Sequence, residues 1–225
     1  VTHIINAGTD VKTSEISVSL AGRYPFVYAA VGVHPHETSG LDNDAVEKIK
    51  TLALKKKVVA IGEIGLDYHY DFSPKEVQKE WFAEQIALAR ALKLPIVIHD
   101  RESHQDILDI VKAEKGFETG GVFHCFSGSK EKAREVMSLG FKIGIGGSVT
   151  FKKARKPIEV VQYAPLDMLL TETDCPYMTP EPYRGQRNWS GFIRLVLSKI
   201  AEIKKIDYKA AEEATTTNAI NLFRL

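Results

Sequence analysis

Seven short apolar runs recur along the chain, and they constrain its fold more than any other feature. The runs fall at 1–7, 26–33, 58–64, 95–98, 121–123, 141–145 and 168–171. Most of them are rich in Val and Ile and lack the polar alternation of a half-exposed strand. This pattern is typical of parallel strands that are covered on both faces.

Helical patterns occupy the intervals between these runs. In the clearest, at 74–93, Ser73 can cap the helix and Glu76 completes a capping box. A second helix begins after a cap at Ser129 and ends at Gly140. Further helices are predicted at 44–56, 103–115, 191–204, 208–215 and 218–223. Strand–helix alternation over this length predicts a parallel sheet with crossover helices.

The segment after the first run decides between an open sheet and a closed barrel. An open nucleotide-binding sheet carries a glycine-rich turn there, whereas this chain has Gly8, Thr9 and Asp10. We therefore expect an α/β fold of the TIM type, a (β/α)8 barrel, as one domain over 1–225. Seven runs instead of eight indicate that the first strand–helix unit of the barrel is missing from this sequence.

Composition excludes several classes of protein. Hydrophobic residues make up 44% and charged residues 26% of the chain, and no apolar run approaches the ~18 residues of a membrane span. The net charge is +1, so any affinity for phosphate must be local. The two cysteines, Cys125 and Cys175, are too few for a disulfide scaffold and are predicted to be small buried residues. Without a signal peptide, the chain is predicted to be cytoplasmic.

Imidazole and carboxylate side chains follow the apolar runs at the point where each run ends. They are His34, His36, Glu63, His99, His124 and Asp174. In a barrel the carboxyl ends of the strands form one rim, which carries the active site. Residues from four strands are therefore expected to converge there: Glu63, His99, His124 and Asp174. Such ligands suit a divalent metal, which also relieves the repulsion between the two carboxylates.

Several neighbouring polar residues have more than one interpretation. His34 and His36 either reach this site or shape the turn at Pro35. Asp67 either orients a histidine or caps a loop, and Glu172 is expected to form hydrogen bonds in the interior. The remaining histidines are expected to have structural roles, and they are His3, His69 and His104.

Three basic features are candidates for phosphate binding. Arg101 lies two residues after His99, so the two side chains point the same way on an extended chain. Arg184, Arg187 and Asn188 lie in the Pro-rich segment after the last run, a common phosphate region of barrels. The basic run at 152–156 is the weakest candidate, because a charge run is usually a solvated face.

Six short motifs together resemble the TatD family of metal-dependent hydrolases. They read GVHP at 32–35, GEIGLD at 62–67, IHDR at 98–101, HCFSG at 124–128, ETDCP at 172–176 and PYRG at 182–185. The resemblance implies an amidohydrolase-type barrel with metal-dependent DNase activity of the 3′-to-5′ exonuclease kind. It also implies that Glu63 bridges two metals, that His99 and His124 bind one of them, and that Asp174 binds the other and helps to activate water.

The expected function is a divalent-metal phosphodiesterase that acts on DNA, or also on RNA, with two Zn²⁺, Mg²⁺ or Mn²⁺ ions. Arg101, His34 and Arg184 are the expected substrate contacts. A metal amidase, lactonase or ester deacylase, such as one that removes a D-amino acid from tRNA, would use the same ligands. A barrel kept as a binding or scaffold protein is the remaining alternative, in which convergent carboxylates and imidazoles would only reduce stability.

One element of the family pattern is absent. The family opens with a strand that ends in a His-x-His pair, which completes the metal on the Asp174 side, and no such pair precedes Gly8. We therefore expect about 30 more residues before Val1, the length of one strand–helix unit, including that strand.

Overall fold

The Val- and Ile-rich runs of the sequence form parallel strands. The structure, a computed structural model, describes residues 1–41, 44–70 and 72–225. Its contacts divide the chain into two units, residues 2–121 and residues 122–225, with Val1 assigned to the second. The expectation of one domain over 1–225 stays a prediction.

The first unit contains four strands that pair in chain order, each parallel to the next. The strands are β1 (Ile4–Ala7), β2 (Val27–Val31), β3 (Val58–Asp67) and β4 (Ile96–Arg101). Its helices are α1 (Val11–Arg23), α2 (Ala45–Ala53), α3 (Lys75–Leu92) and α4 (His104–Ala113). Val31, Ile61 and Ile98 are fully buried, as expected of strands covered on both faces. The β3–β4 register places Gly65 opposite His99.

The second unit has the same alternation. Its strands, β5 (Gly121–Phe123, which begins at the unit boundary), β6 (Lys142–Ile145) and β7 (Leu169–Thr171), pair in parallel in chain order. Its helices are α5 (Lys130–Ser138), α6 (Arg155–Tyr163), α7 (Ile193–Lys204) and α8 (Tyr208–Phe223). All seven strand predictions are thereby confirmed. None of the helices in the described ranges combines the length and apolar character that a bilayer crossing requires.

The structure corrects the helix predictions at three places in the chain. Helices α1 and α6 were not predicted, and α8 is one continuous helix where two were expected at 208–215 and 218–223. The polar residues at the expected break lie inside α8 and form hydrogen bonds. Thr215 donates to the Ala211 carbonyl oxygen, and the Asn218 amide donates to the carbonyl oxygens of Leu166 and Leu169 at 2.9 and 2.8 Å.

The predicted caps have different outcomes. Ser129 accepts the Lys132 amide and caps α5, as predicted. Ser73 does not cap α3, and the capping box with Glu76 is absent. The Ser73 hydroxyl instead donates to the His36 carbonyl oxygen and accepts the Ser39 amide, both at 3.1 Å. It therefore joins the start of α3 to the segment that follows β2.

Gly65 permits the close approach of β3 to β4. Its φ is +144°, and an added Cβ would lie 2.0 Å from the carbonyl oxygen of His99. Gly65→Ala is therefore expected to lower the free energy of unfolding by about 1–3 kcal/mol, because it combines an unfavourable backbone conformation with overpacking. Urea unfolding followed by circular dichroism measures the change.

The matched control for this substitution is Gly22→Ala in α1. A Cβ at Gly22 meets nothing within 4 Å, so the change should be stabilising by about 0.5–1 kcal/mol through helix propensity. Equal unfolding midpoints for the two variants would show that β3 and β4 adjust to a side chain at position 65.

Candidate metal centre

Three side chains with metal-ligand atoms converge in the first unit. They are His34, three residues after β2, Glu63 in β3 and His99 in β4, and one ligand atom of each lies within 4.8 Å of the others. The Glu63 Oε1 atom is 2.9 Å from Nδ1 of His99 and 3.7 Å from Nε2 of His34. We refer to these three residues as the His34–Glu63–His99 cluster. His34 thus lies beside Glu63 and His99, and its role in the site stays a prediction.

Asp67 orients His99 within this cluster. Its Oδ2 atom accepts hydrogen bonds from Nε2 of His99 at 3.0 Å and Nε2 of His36 at 2.9 Å. Its Oδ1 atom accepts the backbone N–H groups of His69 and Tyr70 at 3.0 and 3.1 Å. Both interpretations of Asp67, the partner of a histidine and the loop cap, are therefore correct.

The hydrogen bonds around Asp67 determine the charges of the metal-free cluster. Burial by itself would raise the pKa of Asp67, but hydrogen bonds from His99, the Tyr70 amide and His36 hold it well below its usual range. Burial opposes the charge on His99, but its bonds to Asp67 and Glu63 raise its pKa to about 9. The carboxylates of Glu63 and Asp67 thus favour a positive charge between them.

His34 has the opposite character. Burial, followed by the neighbouring His99, lowers the pKa of His34 to about 3, so its imidazole is neutral. Its Nδ1 atom accepts the His36 backbone N–H at 3.2 Å, which assigns its single proton to Nε2, the atom that faces Glu63. In this tautomer His34 offers a hydrogen-bond donor. Glu63 offers carboxylate lone pairs to a cation, and His99 offers its Nδ1 lone pair when a cation displaces the proton that it shares with Glu63.

Two buried glutamines of α3 hold the strand ends that carry these side chains. The Gln85 amide accepts the Val33 backbone N–H at 2.7 Å and donates to the Val33 carbonyl oxygen at 3.0 Å. Gln78 makes the same pair of bonds with the backbone of Asp67, at 2.8 and 3.1 Å. Each glutamine satisfies a strand-end peptide that would otherwise be buried without partners.

The second unit repeats this arrangement with other residues. Nδ1 of His124 lies 2.8 Å from Oε2 of Glu172, and Nε2 of His124 lies 3.6 Å from Oδ1 of Asp174. Glu172 also accepts the Cys125 amide, which confirms its predicted hydrogen bonding. Because Glu172 accepts the Nδ1 proton, the Nε2 lone pair of His124 faces Asp174. His124 and Asp174 form the second ligand pair.

The donor sets in both units fit a divalent cation. Each combines an imidazole lone pair with a carboxylate oxygen, and in each a further carboxylate orients the imidazole from its other nitrogen. This outer hydrogen bond is the usual companion of a metal-bound histidine. The shared metal between the ligand pairs and the bridging role of Glu63 stay predictions.

The predicted phosphate contacts lie in different surroundings. The Arg101 guanidinium lies 4.6 Å from the centre of the Tyr70 ring. Arg184 lies over the Phe151 ring at 4.0 Å and donates to the Thr179 carbonyl oxygen at 3.3 Å.

Asn188 does not have the predicted phosphate role. Its amide donates to the carbonyl oxygens of Thr173 and Tyr177 at 2.7 and 2.6 Å. Asn188 is therefore a buried residue that stabilises the conformation of its loop. Arg187 lines a neighbouring cavity of about 410 Å³.

Two further predictions about the second unit have mixed outcomes. Cys125 is half-buried, but Cys175 is exposed, so the prediction that both are buried is wrong for Cys175. The four basic residues of the run at 152–156 are all exposed, as expected of a solvated face. Lys153, Arg155 and Lys156 line a cavity of about 570 Å³.

Sequence reasoning missed the roles of His36 and of the two glutamines. His36 donates to the same oxygen of Asp67 as His99 does. Gln78 and Gln85 lie seven residues apart on the buried face of α3, and this spacing of polar residues on an apolar helix face was the available signal.

Comparison with known proteins finds relatives that match nearly the whole chain. The sequence model of the family described as TatD related DNase matches residues 1–224. The metal-dependent hydrolase YabD of Bacillus subtilis (strain 168), itself uncharacterized, is 46% identical over 225 residues, which are 100% of this chain and 88% of YabD. The 3′-5′ ssDNA/RNA exonuclease TatD of Cronobacter sakazakii is 33% identical over 228 residues, covering 99% of this chain and 87% of its own.

A solved structure agrees with these sequence matches. The crystal structure of YJJV, a TatD homologue from Escherichia coli K12, superimposes with a TM-score of 0.94 at 33% identity, covering 100% of this chain and 87% of that chain. This likeness confirms the predicted fold class, an α/β fold of the TIM type in which seven parallel strands alternate with helices.

Proposed function

The chain belongs to the TatD family of metal-dependent hydrolases, and on that premise we propose that it is a phosphodiesterase that removes nucleotides from the 3′ end of DNA or RNA. The observation that carries this proposal is the His34–Glu63–His99 cluster with the Asp67 hydrogen bond behind it. The exonuclease named among the relatives supports the choice of nucleic acid as substrate.

In this proposal Glu63, His99, His124 and Asp174 are the residues that hold the divalent cations. When bound, Zn²⁺, Mg²⁺ or Mn²⁺ supplies Lewis-acid activation of water and neutralises charge that develops on phosphate oxygens. Glu63 and Asp174 are the carboxylates that accept a proton from the attacking water.

The remaining site residues bind and orient the substrate. The Nε2–H group of His34, which its Nδ1 bond to the His36 amide fixes in place, donates to a phosphate oxygen. Arg101 and Arg184 supply charge-assisted hydrogen bonds to phosphates. Asp67 and Glu172 keep the imidazoles of His99 and His124 in the tautomers that ligation needs.

The test is hydrolysis of several substrates by one metal-stripped preparation. Single-stranded DNA, RNA and an acyl-tRNA are each incubated with Zn²⁺, Mg²⁺ or Mn²⁺. We expect release of mononucleotides from the 3′ end, abolished by chelator and restored by metal. If the amino acid is released from the acyl-tRNA and the phosphodiesters stay intact, the protein is a deacylase. If none of the three substrates is hydrolysed with any metal, the result favours a binding or scaffold protein.

Arg101→Ala separates phosphate recognition from general damage to the site. A charge-assisted hydrogen bond contributes about 1.5–3 kcal/mol, so kcat/KM for bis(p-nitrophenyl) phosphate should fall roughly tenfold or more. Hydrolysis of a neutral carboxylic ester should be unaffected.

Arg23→Ala is the matched control, because Arg23 also lies over a tyrosine ring, 5.3 Å from the centre of Tyr24. It should change neither rate. An equal loss on both substrates in Arg101→Ala would contradict a phosphate role for Arg101.

A further inference from the structure

Two large aromatic side chains lie exposed just after β3. Tyr70 is 47% and Phe72 is 64% exposed, and their rings stack nearly parallel, 5.5 Å apart at an interplanar angle of 10°. Aromatic rings of this size are usually buried, because exposure forgoes the free energy of removing their surface from water. We refer to Tyr70 and Phe72 as the aromatic platform.

The aromatic platform adjoins the candidate metal centre through one imidazole. The His36 ring contacts Phe72 and Tyr70 edge-on, with centroid distances of 4.9 and 5.4 Å. His36 and His99 donate to the same oxygen of Asp67. A ligand that rests on the platform therefore lies one side chain away from the cluster.

The platform is held in place before any ligand binds. The Tyr70 backbone N–H donates to Oδ1 of Asp67 at 3.1 Å. The Arg101 guanidinium lies against the Tyr70 ring, 4.6 Å from its centre, as a cation–π contact. Among residues 1–41, 44–70 and 72–225, no carboxylate lies within ion-pairing distance of Arg101. Its N–H groups therefore remain available to an anion from outside.

Flat exposed rings beside an arginine suit one kind of occupant. A nucleobase needs only one ring face to stack upon, and the adjacent phosphate is met by the cation. Two side chains offer far too little area for a stable protein partner, which needs about 800 Å² on each side.

We propose that Tyr70 and Phe72 stack against a base of the nucleic-acid substrate, with Arg101 on the neighbouring phosphate. The proposal rests on the proposed function and assigns that function a base-binding contact. It adds a binding site that lies outside the metal ligands.

The test compares two matched pairs of substitutions. Tyr70→Ala with Phe72→Ala removes the platform. Tyr24→Ala with Phe26→Ala removes another exposed Tyr–Phe pair of the same unit, which lies before β2, has rings tilted by 38° and also has an arginine over its tyrosine. The substrates are a single-stranded oligonucleotide and an abasic oligonucleotide of the same length, which has the phosphates but no aromatic ring.

Loss of the platform should lower kcat/KM for the oligonucleotide by about ten- to hundredfold, the scale of base–aromatic stacking. The rate on the abasic oligonucleotide, which meets Arg101 but cannot stack, should fall much less, and the Tyr24/Phe26 control should retain both rates. Equal losses on both substrates would overturn the proposal.

A spectroscopic measurement separates stacking from loss of apolar contact. An oligonucleotide that contains 2-aminopurine and cleavage-resistant phosphorothioate linkages should lose fluorescence on binding to the metal-loaded wild type. Phe72→Tyr should keep this quenching, and Phe72→Leu should lose much of it. Equal quenching by Phe72→Leu and the wild type would contradict stacking on the platform.

This measurement also distinguishes failure of the platform from failure of the proposed function. If the wild type hydrolyses no phosphodiester with any metal, the proposed function is wrong, yet quenching of 2-aminopurine still decides whether the platform binds bases. If the wild type hydrolyses phosphodiesters but no variant changes binding or quenching, only the platform is wrong.

Discussion

Glu63→Gln is expected to lower turnover by about 10²-fold or more while leaving the fold intact. Glutamine keeps the shape of the side chain but removes the negative charge that lies 2.9 Å from Nδ1 of His99. The neutral amide is a poor ligand for a divalent cation, and it no longer balances the cation's charge in a largely buried site. Metal-dependent hydrolysis and unfolding by denaturant, measured on the same preparation, test both parts of the prediction.

Glu118→Gln is the control for loss of a carboxylate elsewhere in the same unit. Glu118 forms a half-exposed ion pair with Arg90, 2.8 Å between Nη2 and Oε2, and such pairs contribute at most about 1 kcal/mol. Its turnover should equal that of the wild type. A folded Glu63→Gln protein with near-normal turnover would refute Glu63 as a metal ligand.

Asp67→Asn is expected to weaken metal binding by about ten- to hundredfold. The asparagine carbonyl oxygen can still accept the backbone amides of His69 and Tyr70, so its NH₂ group must face His36 and His99. Facing a donor, His99 gives up its Nε2 proton and keeps the proton on Nδ1, the atom that lies against Glu63. The lone pair that would bind a cation is then lost, although neither Glu63 nor His99 has been changed.

Calorimetric titration of the metal-stripped protein measures this effect directly, without reference to turnover. Asp100→Asn is the matched control, because Asp100 lies next to His99 in β4 and accepts Nδ1 of His104 at 2.7 Å. That variant should lose stability but keep its metal affinity. Undiminished affinity in Asp67→Asn would show that the tautomer of His99 does not depend on Asp67.

The strands of this fold were predictable because burial on both faces demands uninterrupted apolar residues. Helix α1 was not, because its buried face is made of small polar residues, among them Ser14 and Ser17. The Ser14 hydroxyl bonds to the backbone of Gly32, and a Cβ on Gly8 would lie 2.3 Å from its oxygen. Such close packing depends on hydrogen bonds and on glycines that have no side chain. Neither feature produces the periodic apolar residues by which a helix is predicted from sequence.

The candidate site was predictable in its residue types but not in its proton positions. Parallel strands bring their carboxyl ends to one edge within each unit, so Glu63 and His99 meet, as do His124 and Asp174. Whether an imidazole presents a lone pair or a proton depends on the group at its other nitrogen. For His34 that group is a backbone amide two residues along the chain, which only the local turn geometry reveals.

The double duty of Asp67 has a consequence for engineering. The Oδ2 atom of Asp67 orients the histidines, and its Oδ1 atom accepts the backbone N–H groups of residues 69 and 70. The loop and the His34–Glu63–His99 cluster therefore both depend on this one carboxylate. If the loop that contains residues 69 and 70 were replaced, metal affinity would be preserved only if the new loop also donated two backbone N–H groups to the Asp67 carboxylate. A library aimed at new substrates should therefore vary the side chains at 70 and 72 and retain the backbone conformation of 68–70.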